Sequence, residues 1–375
     1  MSSYTLNKEK ASKGKRARKK GLLYTRTKIF HFKDKLDSLP LSADKIMAPL
    51  HIRIKPTNVC GHNCSYCAYR ADDLQLGKDM VKTDHIPEAK MMEMIDDIAG
   101  MGVKAVTFSG GGDPFCYPYL LKAVKKISGT AVKFAALTNG SRLTGETAEV
   151  FSSRGTWLRV SMDGWDDKSY SSYRGVPEGE FAKVIKNMKG FKKLGGGCYL
   201  GVSIIIDKTN AGHLYGFMKL LKDIGVDSVK ASPCITSNDG AENNLYHRPI
   251  FDKVKEEIRK AAGDLADGTF EINDSYHELD EKFRKAHTWC PYLQILPVIG
   301  ADLNIYPCQD KAYNLEEGLI GSIRDCRFRD FWFSDKNAFF KINPSIHCNH
   351  HCVANEKNKM ILEYLDADNE HLAFV

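Results

Sequence analysis

The 375-residue chain is 43% apolar and 27% charged, which excludes a disordered or collagen-like protein, and at roughly 100–200 residues per domain it accommodates two or three domains. Its net charge of +7 hides a split: residues 1–28 hold ten Lys/Arg against Glu9, and the remaining 44 Lys/Arg and 46 Asp/Glu sum to −2. No apolar run approaches the ~18 residues of a membrane helix, and Leu22-Leu23-Tyr24 is too short for a secretory signal, so no membrane partner and a cytoplasmic location are expected.

Residues 1–20 are Lys/Ser/Gly/Arg-rich without apolar periodicity and read as a disordered arm within a basic extension over 1–46. The basic run has no interleaved aromatics, so a solubilising tail is expected rather than a nucleic-acid contact. From residue 50 to about 232, strand-like and helical runs alternate. The strands are Leu50–Lys55, Val103–Ser109, Val132–Thr138, Trp157–Met162, Tyr199–Ile206 and Asp227–Ser232. Between them, Met91, Ile95 and Ile98 share a helical face, as do Leu120, Val124 and Ile127, and later Phe181, Ile185, Met188 and Phe191. Single helices between strands predict parallel βαβ units. The expected fold is α/β, a partial (β/α)6 TIM-like barrel over 47–240, with its chemistry at the C-terminal ends of the strands.

Residues 248–265 and 274–287 read as helices within a connecting region, 241–287. A small cysteine-punctuated domain follows over 288–355, with a hairpin expected at Gln294–Ile299 and Leu303–Tyr306. A helix and tail close the chain over 356–375.

Eleven cysteines, an odd count, point to metal or redox sites rather than a disulfide framework. Cys60, Cys64 and Cys67 follow the first strand with Cys-x3-Cys-x2-Cys spacing. Three thiolates can hold three irons of a [4Fe–4S] cube and leave the fourth open, unlike the saturated Cys₄ clusters of ferredoxins. The competing reading is zinc held by Cys60, His62, Cys64 and Cys67, although structural zinc usually pairs short ligand pairs across a longer gap. The triad, with Tyr66 before its third cysteine, resembles the signature of the radical SAM superfamily. Ser109-Gly110-Gly111-Gly112-Asp113-Pro114, after the second strand, resembles that family's Gly-Gly-Glu-Pro loop. The resemblance implies that Gly111, Gly112 and Asp113 hold the amino group of S-adenosylmethionine (SAM), with Asp113 in place of the usual Glu. It further implies that Ser161, after the fourth strand, and Arg174, in Tyr173-Arg174-Gly175, contact the SAM carboxylate or ribose. Thr138 and Asn139 form a polar turn at the same rim, and Ile204 falls in the strand that flanks adenine.

Cys290, Cys308, Cys348 and Cys352 can fully ligate a second cluster. Their arrangement resembles the short twitch form of the SPASM auxiliary domain, which implies one auxiliary [4Fe–4S] cluster. Zinc is the rival here too, because His347, His350 and His351 flank the last two cysteines. Cys326 is a further candidate ligand.

The family resemblance implies reductive cleavage of SAM to a 5′-deoxyadenosyl radical, which abstracts hydrogen from a substrate; a low-potential donor of flavodoxin or ferredoxin type would supply the electron. Loss of an electron to the auxiliary cluster and of a proton to a base would give oxidation. Relatives that oxidise sulfatases carry an Asp directly after the second auxiliary cysteine; here Gln309 stands there, and Asp310 is the candidate base. Hydrogen return from a thiol would give epimerisation, with Cys116 and Cys234 as candidate donors. The region before the barrel is too short and too basic for a peptide-leader module, so a small polar substrate is expected; the resemblance to twitch-bearing relatives, which include aminocyclitol dehydrogenases, implies a sugar, aminosugar or cyclitol that undergoes oxidation, epimerisation or elimination. The alternatives are peptide modification and, from another class, a two-cluster electron-transfer protein.

Overall fold

The computed structural model describes residues 25–70 and 76–374; the arm expected at residues 1–20 lies outside them. Six parallel strands lie within a residue or two of the runs read from the sequence: β1 (His51–Ile54), β2 (Ala105–Phe108), β3 (Lys133–Thr138), β4 (Trp157–Ser161), β5 (Tyr199–Ile206) and β6 (Ser228–Pro233). Each pairs with the next in parallel. Such neighbours need crossovers, and helices supply them, among them Glu88–Gly100, Leu120–Ser128, Gly145–Arg154, Glu180–Lys193 and Leu214–Asp223.

Four further strands extend the sheet. β7 (Glu271–Asp274) pairs in parallel with β6 at one edge. At the other, β8 (Val298–Ile299) pairs in parallel with β1, and β9 (Asn304–Tyr306) and β10 (Gly321–Ser322) continue antiparallel. The order is β10-β9-β8-β1-β2-β3-β4-β5-β6-β7, and the sheet is not closed. It runs across the boundary expected near residue 288, because the β8–β9 hairpin covers the edge of β1 that would otherwise present unpaired backbone groups.

Two expectations are corrected. Residues 274–287 are not a helix: β7 ends there, and only Asp280–Phe283 is helical. Asp274 Oδ1 accepts from Tyr276 N at 2.9 Å and Asn273 Oδ1 from Ser275 Oγ at 2.8 Å, local bonds that compete with a helix. The hairpin is shorter than expected, because Pro291 opens a 3₁₀ turn over Pro291–Gln294.

Burial alternates along the strands. Ile52, Ile54, Phe108, Leu158, Val160, Val202 and Ile204 share one buried core with Met91, Ile95 and Ile98 of the helices. The intervening residues, Arg53, Arg159, Ser161 and Lys230 among them, are only half-buried, on the concave side.

Candidate metal and cofactor centre

The loop that carries Cys60, Cys64 and Cys67 is held from both flanks. On one, Gly112 N donates to Thr57 O (3.2 Å) and Asp113 N to Val59 O (2.9 Å). A Cβ on Gly112 would lie 2.1 Å from Val59 O, so only glycine permits this approach. On the other, Asn63 N donates to Arg174 O (2.8 Å) and Ser65 N to Tyr173 O (3.1 Å). Gly175 ends the helix Asp167–Arg174 in the left-handed region (φ 57°), and a Cβ there would meet Asn63 O at 2.5 Å.

Polar groups then reach the sulfurs. Asn139 Nδ2 lies 3.8 Å from Cys60 Sγ, His62 N donates to the same sulfur at 3.4 Å, and Arg174 Nη1 lies 3.5 Å from Cys64 Sγ. Burial pushes the Cys60 thiol up to about 11 and raises Cys67 as well. His62 turns its Nε2 to Ser141 Oγ at 2.8 Å instead of joining the cysteines.

Among the described residues, no three of the triad or auxiliary sulfurs lie within 4.8 Å of one another. Tetrahedral zinc with ~2.3 Å bonds would draw its sulfurs to about 3.8 Å.

A residue not singled out from the sequence organises this rim. Asp163, at the end of β4, is buried; its Oδ2 accepts from Tyr66 OH and Arg174 Nη2, and its Oδ1 from Ile205 N at 2.6 Å. Burial pushes the Asp163 carboxyl up, and the guanidinium of Arg174 opposes that shift. Asp163 lies two residues after Ser161, and an acid at that distance from an inward serine was the available signal.

The other residues expected at the SAM site have these surroundings. Asp113 is saturated by its own fold: Oδ1 accepts from Phe115 N at 2.8 Å, and Oδ2 from Thr138 Oγ1 at 2.9 Å and Asn139 N at 2.6 Å. The carboxylate ties the Gly-rich loop to the end of β3. Gly111 is close-packed as well, since its Cβ would lie 2.5 Å from Asn58 Oδ1. Ile204 lies on the helix side of β5 in the core; Ser203 and Ile205 occupy the concave side, where Ser203 pairs in register with Ser161.

Cys290, Cys308, Cys348 and Cys352 line one pocket together with Lys285, His287, Lys311, His350 and Asn358. Asn358 Nδ2 donates to Cys290 Sγ at 3.3 Å. Burial pushes Cys290 to about 11, and Cys348 and Cys352 to about 12. Such thiols stay protonated until a metal displaces the proton. Cys326 is exposed and outside this pocket. Of the flanking histidines only His350 lines it; His347 Nδ1 accepts from Asn343 N at 3.0 Å, and His351 packs on Phe283. Asp310, Cys308 and His350 offer ligand atoms within 4.8 Å of one another, and Asp310 Oδ2 and both His350 ring nitrogens are buried without hydrogen-bond partners.

The candidate thiols separate. Cys116 is half-buried beside the triad loop, accepting from Gly61 N. Cys234 is buried just beyond β6, with His247 Nε2 2.8 Å from its carbonyl oxygen, and burial pushes its thiol to about 12.

Residues 54–221 match the profile of the radical SAM superfamily. The chain is 28% identical over 160 residues to the S-adenosylmethionine-dependent nucleotide dehydratase of Lacinutrix mariniflava, covering 42% of this chain and 29% of that protein. It is 27% identical over 200 residues to the serine-type anaerobic sulfatase-maturating enzyme of Bacteroides thetaiotaomicron, covering 50% and 47%. The chain therefore spans less than half the length of these curated relatives. In fold alone it is similar to Streptococcus suis SuiB bound to S-adenosylmethionine (TM-score 0.56, 17% identity, covering 78% of this chain and 65% of that one). The same holds for anSMEcpe with bound AdoMet (TM-score 0.55, 18% identity, covering 84% and 97%). No helix among the described residues is long and apolar enough to cross a membrane.

Proposed function

We propose that this chain, a member of the radical SAM superfamily through its domain at residues 54–221, cleaves SAM reductively and removes a hydrogen atom from a small polar substrate of sugar or cyclitol size. The observation that carries this reading is the gathering of Cys60, Cys64 and Cys67 at the barrel rim, where Asn139 and Arg174 reach two of their sulfurs.

Those cysteines, three thiols in one loop with His62 turned to Ser141, fit a [4Fe–4S] cluster with one iron left open. A cluster held there would supply one electron to the sulfonium of a bound SAM, whose C5′–S bond would break to leave methionine and the hydrogen-abstracting nucleoside fragment. The chain's own residues do the rest. Arg174, fixed by Asp163, sets a positive charge beside Cys64 that would attract the SAM carboxylate. Tyr66, hydrogen-bonded to Asp163, holds the third cysteine's turn against the barrel. The backbone of Gly110–Gly112 is the acceptor for the methionyl ammonium, since the Asp113 carboxylate is already engaged. Ser161 and Ser203 line the concave face below.

Cys290, Cys308, Cys348 and Cys352, which line one pocket, would hold an auxiliary [4Fe–4S] cluster able to accept one electron in a substrate oxidation. Asp310 Oδ2, buried and unpartnered beside Cys308, is the atom placed to take the accompanying proton. Cys116, beside the triad, is the better placed of the two thiols for the redox-neutral alternative. A flavodoxin- or ferredoxin-type donor and a cytoplasmic setting go with this chemistry.

The test is single-turnover mass spectrometry with a site-specifically deuterated substrate candidate. Deuterium arriving in 5′-deoxyadenosine supports the proposal; deoxyadenosine formed only in the presence of a ribosomal peptide rejects the small-molecule substrate.

A further inference from the structure

The concave face of the sheet lacks the branched aliphatic layers that fill a closed barrel. Arg53 and Lys55 alternate with Ile52 and Ile54 on β1, Arg159 alternates with Leu158 and Val160 on β4, and Lys230 alternates with Val229 and Ala231 on β6. Strand alternation therefore puts four cations on one face. Gly201 is the β5 partner of Arg159, and its backbone lies against the Arg159 side chain: a Cβ there would be at ordinary contact distance, 3.5 Å, from Arg159 Nε.

The opposing acids are few. Glu271 on β7 is engaged with Tyr199 OH at 3.2 Å. Asp310 approaches from the C-terminal segment and is felt by Arg53 and Lys55. Lys55 is enclosed, donating to Tyr69 OH and, at 3.1 Å, to Gly110 O. Arg53 and Lys230 are half-buried, and among the described residues neither side chain makes a hydrogen bond or an ion pair. Burial pushes Lys230 down to about 8, helped by repulsion from Arg159, Lys357, Arg53 and Lys282. Half-buried charges of one sign repel strongly, and structural charges in such places are normally paired. Asp310 offsets Arg53 and Lys55 in part, and a bound anion would offset the repulsion that Lys230 feels from Arg159 and Arg53.

We propose that this face binds a substrate that bears an oxyanion, a phosphate ester or a polycarboxylate, with Arg53, Arg159 and Lys230 as its recognition residues. Guanidinium forks match phosphate and carboxylate oxygens bidentately, and a lysine adds a point charge. The inference rests on the proposed function for the placing of substrate on this face, and it narrows that reading: a cationic aminosugar is rejected, and a neutral sugar or cyclitol lacks the group the site addresses.

The experiment uses the reconstituted, SAM-loaded full chain, with thermal unfolding and equilibrium binding as readouts. The probes are inorganic pyrophosphate, glucose 6-phosphate, citrate, glucose and glucosamine. The expected result is that at least one anionic probe raises the midpoint and binds more tightly than glucose or glucosamine by about tenfold or more. Pyrophosphate and glucose 6-phosphate against citrate tells phosphate from carboxylate. Arg53→Gln and Lys230→Gln should each weaken that binding by about tenfold, while Lys189→Gln, on the exposed side of Glu180–Lys193, leaves it unchanged. Should Arg53→Gln fail to fold, Lys230→Gln carries the comparison. The proposal is overturned if no anion shifts the midpoint, if the anions act equally on Lys230→Gln, or if glucosamine is preferred. Dithionite-driven SAM cleavage without added substrate is measured beside it: its loss with anion binding intact removes the radical reading and leaves this one standing.

Discussion

Replacing Asp163 by Asn tests whether the rim is built around the Asp163–Arg174 pair. Both side chains are almost wholly enclosed, at 0% and 5% exposure. Asn keeps the shape but strands the Arg174 guanidinium without its counter-ion. Breaking a buried pair by removing one partner costs about 3–5 kcal/mol. With about 2.1 cal/mol/K of unfolding entropy per residue, a chain of this length has a transition entropy near ~0.8 kcal/mol/K, so the midpoint should fall by about 4–6 °C. Arg174→Gln should cost a similar amount by stranding the carboxylate. The double variant leaves no lone charge, and its cost should fall short of the sum of the two by about 1–3 kcal/mol. Anaerobic thermal unfolding of the four proteins, with SAM affinity measured alongside, gives the cycle. Additive costs, or single costs under about 1 kcal/mol, would refute the argument that this pair anchors the triad loop.

Gly112→Ala should displace the triad loop, because its Cβ would sit 2.1 Å from Val59 O; iron bound after reconstitution should fall by about half while the auxiliary cluster survives. Cys348→Ala should lower iron from about eight to about four atoms per chain without abolishing SAM-dependent changes at the other cluster; zinc in place of that second set of irons would contradict the ligand assignment. His51 is held down at about 3, chiefly by burial and then by Arg53 and Lys357. Its folded value lies below the unfolded ~6.5, so its contribution is complete above pH 6.5 and is lost as pH falls from there toward 3, at up to about 1.4 kcal/mol per pH unit. His51→Gln should flatten the stability–pH curve across that window, and an unchanged slope would count against a neutral His51.

Legibility followed the physics of each region. β1 to β6 were readable because each is a short run with apolar residues on its buried face, bounded by turn residues and separated from the next by helical segments. β7 was not, because Glu271–Asp274 is too polar to stand out and is a strand only by pairing with β6. The cysteine clusters were legible by spacing. The fate of Asp113 was not: nothing local says that its oxygens are taken by Phe115, Thr138 and Asn139, the last two about 25 residues away. Asp163 was visible but unassigned, since its partners Tyr66 and Ile205 are joined only by the fold. The cationic face was written in His51-Ile52-Arg53-Ile54-Lys55, where each cation alternates with an isoleucine, yet that alternation says only that the cations share a side. That Arg159 and Lys230 stand on the same side follows from the sheet's register.

The most direct test of the account is electron paramagnetic resonance of the dithionite-reduced, reconstituted chain before and after SAM is added, with 5′-deoxyadenosine measured in the same sample. The account predicts a shifted cluster signal and nucleoside release, both absent from Cys64→Ala. An unaltered signal with no nucleoside from the unsubstituted chain would contradict it.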